Sequence, residues 1–159
     1  MVFNKENLLK TLKDLPGNVE VYISNIPSVF YDRKRNEDSW TIREHLYHIV
    51  SVQELLYERI SKIRDQENPV IAPFFPENEP ERASLYESIG DAFIRYKEVR
   101  EKQAELINSL TEADFGKEAE HSEYIRYNIP MIINHMIFHE YWHMYRIEEL
   151  WLEKDEYFK

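Results

Sequence analysis

The sequence predicts an all-α fold, an antiparallel four-helix bundle, on three observations. Three stretches carry apolar residues at alternating spacings of 4 and 3, the seam of a helix that packs along one face. Long connections separate these stretches from one another and from a fourth, looser one. Glycine is scarce, with three in 159 residues, which disfavours a turn-rich β fold and a glycine-rich phosphate loop. The length fits a single domain, residues 1–159, with one sizeable core.

The first helix is the least regular. Leu8, Leu12, Leu15, Val19, Tyr22 and Ile26 keep the seam phase, but Pro16-Gly17 interrupts them and predicts a kink or a break between two segments on one axis. The second helix is the clearest, with Ile42, Leu46, Ile49, Gln53, Leu56, Ile60 and Ile63 in strict order. Thr41 followed by Glu44 is a capping box, so this helix starts just after Trp40. The third carries Leu85, Ile89, Ala92, Tyr96, Val99, Gln103, Leu106 and Leu110, with Ser84 and Glu87 as its capping box and Gly90 weakening it modestly. The fourth starts at Asn128 as N-cap with Pro130 in the first turn, where a missing N–H costs little. Its seam runs Ile129, Ile132, Met136, His139, His143, Arg146 and Leu150. Connections fall at 27–39, 67–82 and 111–127. The middle one, ENPVIAPFFPENEPER, holds four prolines and should be an extended, ordered crossover.

Charge and composition exclude several functions. A net charge of −10 opposes nucleic acid, whose phosphates require clustered Lys and Arg. With no cysteine there is no disulfide, no thiolate nucleophile and no sulfur ligand, so any metal must sit on His, Asp or Glu. That composition fits the cytoplasm. The first residues, MVFNKENLLKTLKDL, are charged throughout and do not read as a signal peptide, and no apolar run is long enough to span a membrane.

Histidine carries the chemical signal. Five of the six lie in the second and fourth helices: His45 and His48, then His135, His139 and His143. Residues four apart share a helix face with Cβ atoms about 5–6 Å apart, a span two imidazoles can close on one ion. Successive such positions drift by about 40°, so the outer two of three diverge by about 80° and cannot all converge. His139 and His143 lie on the seam and form the pair, and by spacing alone either His45 or His48 can be the third ligand. Three imidazoles with open positions form the pattern of a catalytic metal rather than a closed structural one. His135 falls on the rim, and His121, in a polar loop, reads as solvated. Gln53 and Gln103 lie on seams and can bond to each other. Glu140 adjoins His139 and can serve as a base or support a ligand, but reads first as a surface glutamate. Arg146 can bind an anionic group or pair with Glu149 or Glu54. The aromatics Phe138, Tyr141, Trp142 and Tyr145 read as core, and charge runs such as RYKEVREKQAE as solvated faces.

The segments WTIREHLYHIVSVQ and HMIFHEYWHMYRI resemble the DinB-like superfamily of four-helix bundles, which includes bacillithiol transferases and mycothiol-dependent isomerases. In that family a Trp at the mouth of the second helix precedes a metal-binding His by eight residues, which matches Trp40 and His48. An HxxxH pair in the last helix matches His139 and His143. The resemblance thus selects His48 over His45 and implies one divalent transition metal, nickel, zinc or iron, on His48, His139 and His143. It implies a metal-dependent thiol transferase or hydrolase acting on a small-molecule substrate, with any low-molecular-weight thiol supplied from outside. Departures at Gln53, Trp142 and Arg146 keep open a rival reading, a binding or stress-associated protein whose metal braces the bundle. Family members often dimerise, and Phe74-Phe75 is a candidate homodimer surface.

Overall fold

The protein is described by a computed structural model covering residues 4–76 and 81–153. Four long helices dominate it: α1 (Lys5–Ser24), α2 (Ile42–Asp65), α3 (Ile89–Ser109) and α5 (Ile129–Trp151), with α4 (Glu112–Phe115) a single turn. No described helix is long and apolar enough to cross a membrane.

The buried side chains form two apolar clusters, one towards each end of the bundle. The first joins Leu12 and Leu15 of α1 to Leu56, Ile60 and Ile63 of α2, Leu106 and Ile107 of α3, and Ile129, Ile132 and Ile133 of α5. The second joins Val19 and Ile23 of α1, Leu46 and Ile49 of α2, Ala92 and Phe93 of α3, and Ile147 and Leu150 of α5. Early residues of α2 and α3 therefore share one end with late residues of α1 and α5. Two helices run one way and two the other, and the long crossover from α2 to α3 links a parallel pair. Residues 77–80 of that crossover lie outside the described residues.

The local signals explain most helix ends. The Thr41–Glu44 capping box forms, with Glu44 N–H donating to the threonine hydroxyl at 3.0 Å and Thr41 N–H to the glutamate at 2.7 Å. Asn128 caps α5 by accepting from Met131 N–H at 3.1 Å. Two expectations are corrected. α3 starts four residues later than its seam suggests: Ser88 is the cap, accepting from Asp91 N–H, whereas Ser84 lies in a short 3-10 turn and donates to the Glu81 carbonyl. Tyr86 packs edge-on against Tyr47 and holds the segment before the helix. Nor does Pro16 divide α1, which runs through it unbroken. Burial of Leu12 and Leu15 before the proline and Val19 and Ile23 after it outweighs the lost backbone bond.

The segment 111–127 also holds more structure than a linker. Strands β2 (Glu118–His121) and β3 (Tyr124–Asn128) pair antiparallel, and β1 (Val70–Ile71) from the crossover adds parallel to β2. This small sheet ends directly at the first residue of α5. It also buries His121, whose Nδ1 accepts from Glu123 N–H at 3.1 Å and whose ring packs on Tyr124 and Tyr127, so His121 is not solvated.

Candidate metal centre

The α2–α5 contact brings the histidines together, His48 from the second turn of α2 and His139 and His143 from the middle of α5. His139 Nε2 lies 3.1 Å from His48 Nε2 and 3.1 Å from His143 Nε2, and the three nitrogens all fall within 4.8 Å of one another. His48 and His143 are buried, and His139 is partly exposed. His135 sits on the exposed flank, its ring 5.4 Å from that of His139.

These residues suit a cation. One N–H on His139 Nε2 can bond to only one of the two nitrogens facing it, whereas an ion accepts a lone pair from all three. Nitrogens bound at about 2.0–2.1 Å to one ion stand roughly 3–3.4 Å apart, which brackets the observed contacts. Burial, followed by neighbouring positive charge, holds His139 down at about 3 and places His143 lower still, so both rings are neutral ligands at physiological pH. Among the described residues no carboxylate or further histidine joins the trio.

His45 occupies the next layer. Its Nδ1 meets His143 Nδ1 at 2.8 Å. If Nε2 of His143 offers its lone pair, the His143 proton sits on Nδ1 and donates to His45, which then carries its own proton on Nε2. Burial, with Arg146 next, pushes His45 down to about 3, so it remains a neutral acceptor. Trp40 covers the group, stacked on His143 at 5.6 Å and edge-on to His48 at 4.9 Å. The Arg82 guanidinium lies over Trp40, 3.8 Å from the ring centroid, and Phe74 stacks on His48 at 6.3 Å.

A second polar layer was missed in the sequence. Glu140 is fully buried; it accepts from Arg100 Nη2 and from the Tyr96 hydroxyl. Arg100, assigned above to a solvated face, has a side chain only 3% exposed. Its Nη2 also donates to Gln53 Oε1 at 3.2 Å, and Gln103 Nε2 donates to the Gln53 carbonyl at 2.7 Å and to its side-chain oxygen at 3.2 Å. The glutamines thus bond to each other, and Arg146 pairs with Glu149 at 2.7 Å. A signal was present: Ile133, Ile137, Glu140, Met144 and Ile147 also follow a 4-and-3 seam, as do Phe93, Tyr96, Arg100, Ala104 and Ile107 nearly so. The aromatics Phe138, Tyr141, Trp142 and Tyr145 lie on the opposite side and are 50–68% exposed, so they are not core.

Three comparisons accord with this geometry. The family model of the DinB superfamily matches residues 11–151. A protein of Oceanobacillus iheyensis named as a candidate metal-dependent hydrolase is 23% identical over 150 residues, spanning 92% of this chain and 86% of its own. One of Bacillus mycoides with the same kind of name is 23% identical over 115 residues, 72% of this chain and 66% of its own. Among solved structures, YfiT from Bacillus subtilis, described as a probable metal-dependent hydrolase with an unusual four-helix bundle topology, superposes with a TM-score of 0.83 at 16% identity, covering 94% of this chain and 88% of that one. That likeness shows the fold.

Proposed function

The chain belongs to the DinB superfamily, and from that premise we propose that it is a metal-dependent enzyme of the hydrolase type that acts on a small molecule. His48, His139 and His143 are the ligands of its one divalent ion. The observation that carries this reading is the convergence of three imidazole nitrogens with no fourth described ligand. Partial exposure of His139 gives the group a face towards solvent, which favours catalysis over a sealed brace. Nickel, zinc and iron all suit three imidazoles.

Such an ion is a Lewis acid that allows a water or an added thiol to ionise near neutral pH. The chain supplies the rest. His45 fixes the tautomer and plane of His143 through the 2.8 Å bond. Trp40 and Phe74 cover two sides of His48 and limit the water that reaches it. The Glu140–Arg100–Tyr96 layer holds the roll of α5 and thereby the aim of His139. With no cysteine in the chain, any thiolate comes from outside, so a thiol transferase would use the same site.

The test compares metal content and turnover in the parent and in His48→Ala, His139→Ala and His143→Ala. The assay offers activated esters, amides and alkyl halides with water or with small thiols. Stoichiometric metal in the parent, its loss in the three variants and metal-dependent turnover support the proposal. Equal metal content in all four proteins overturns the ligand set, and full loading without turnover assigns the ion to bracing the bundle.

A further inference from the structure

A cavity of about 200 Å³ opens beside the histidine group. Its lining residues include two tryptophans, Trp40 and Trp142, with His45 and two arginines, Arg35 and Arg146. Trp40 and Trp142 both pack on His45, at 5.3 and 6.3 Å, and both also touch His143, at 5.6 and 4.7 Å. His45 is therefore shared between the cavity and the ligand group. Glu149, also in the lining, holds Arg146 at 2.7 Å and fixes the plane of its guanidinium. A third arginine, Arg82, lies over Trp40. In a chain of net charge −10, three arginines thus lie in or beside this cleft against one lining carboxylate, Glu149.

We propose that this cavity binds a small carboxylate with a flat apolar body, the carboxylate on Arg35 and Arg146 and the body against the exposed Trp142 and the edge of Trp40. Guanidinium forks match a carboxylate in geometry and charge, and indoles pack on a flat ring by face or by edge. The volume admits a molecule of about ten heavy atoms at roughly 20 Å³ each, the size of benzoate or phenylacetate. Trp40 runs from the cavity to His48, so a longer substrate anchored by its carboxylate would lie along the indole towards the ligand group. This assignment deepens the enzyme reading by naming the substrate class and rests on it for that purpose.

The probes are benzoate and benzyl alcohol, measured by calorimetry and by quenching of tryptophan fluorescence. They are titrated into the metal-loaded parent, Arg35→Gln, Arg146→Gln and the metal-depleted His139→Ala protein. The expected result is benzoate binding that weakens about tenfold or more in each arginine variant and weakens with salt, while benzyl alcohol binds far more weakly throughout. Arg35→Gln keeps the test valid if loss of the Glu149 partner unfolds Arg146→Gln, which circular dichroism would reveal. Benzoate and benzyl alcohol binding alike, or benzoate unaffected by both substitutions, overturns the assignment. Benzoate binding to His139→Ala while the parent shows no metal-dependent turnover leaves the cavity standing and removes the enzyme reading. Turnover without benzoate binding does the reverse.

Discussion

Replacing Glu140 with glutamine removes one charge from an ion pair whose side chains are 3% and 0% exposed. The substitution leaves the Arg100 guanidinium in the core with no counter-charge. Breaking a buried pair from one side costs about 3–5 kcal/mol. Glutamine still offers an oxygen to either Arg100 or the Tyr96 hydroxyl, which places Glu140→Gln at the low end, about 3 kcal/mol. For a chain of this size that corresponds to a fall in Tm of roughly 6–12 °C. Removing the whole group should cost far less. Combining Tyr96→Phe, Arg100→Met and Glu140→Leu eliminates the charges and the hydroxyl together and leaves Gln53 bonded to Gln103. Apolar replacement of a buried pair is often neutral or stabilising, so the triple variant should fall within about 2 kcal/mol of the parent. Urea unfolding followed by circular dichroism, in chelator so that bound metal does not mask the difference, measures both. A Glu140→Gln loss below about 1 kcal/mol, or a triple variant worse than the single, refutes the reasoning.

Other consequences follow from the same structure. His45 and His139 are held near 3, and His143 lower, mainly by burial. The unfolded chain binds protons at these positions below about 6.5 while the folded chain does not, so the metal-free protein is fully stable above that pH and loses stability as pH falls from 6.5 towards 3. Each histidine contributes up to about 1.4 kcal/mol per pH unit, and a urea midpoint unchanged from pH 7 to pH 5 would contradict the burial of these rings. Thr41→Ala removes the side-chain half of the α2 capping box and should cost about 1 kcal/mol in the same unfolding measurement, with metal content unchanged. Phe138→Ser and Tyr141→Ser, on the exposed face of α5, should shift stability by no more than about 0.5 kcal/mol, whereas a loss of 3 kcal/mol or more would return these residues to the core.

Helix existence was legible because a bundle seam needs only the 4-and-3 spacing, and the caps at Thr41 and Asn128 form as their side chains suggest. The start of α3 was not, because two cap signals stand four residues apart and tertiary packing of Tyr86 on Tyr47 decides between them. Strands β1 and β2 were invisible because β1 has two residues and pairs with a segment 50 positions later, Val70 with Glu120. The His139–His143 pair was foreseeable from one helix face, but spacing left both His45 and His48 open as its partner, and only the family resemblance pointed to His48. Glu140 and Arg100 were not foreseeable, since a charged residue on a helix is ordinarily solvated and only its partner on another helix makes burial tolerable. The aromatic face of α5 failed for the converse reason: large apolar residues suggest a core, but the isoleucines at 133, 137 and 147 already fill that side.

Why the polar groups concentrate at one depth follows from the packing of α5. His139 and Glu140 are neighbours, and a step of about 100° per residue turns them to adjacent faces. The first faces α2 and meets His48; the second faces α3 and meets Arg100. A roll of α5 by one residue would carry Glu140 away from Arg100 and strand that cation among the side chains of the bundle. The same roll would separate His139 from His48. Because stranding the charge costs several kcal/mol, the ion pair makes the bundle intolerant of the one movement that would dismantle the histidine group. The apolar clusters on either side cannot do this alone, since isoleucine packs tolerably in more than one rotation. The buried pair is thus a register pin for α5, and the aim of His139 depends on a side chain that touches none of the three histidine nitrogens.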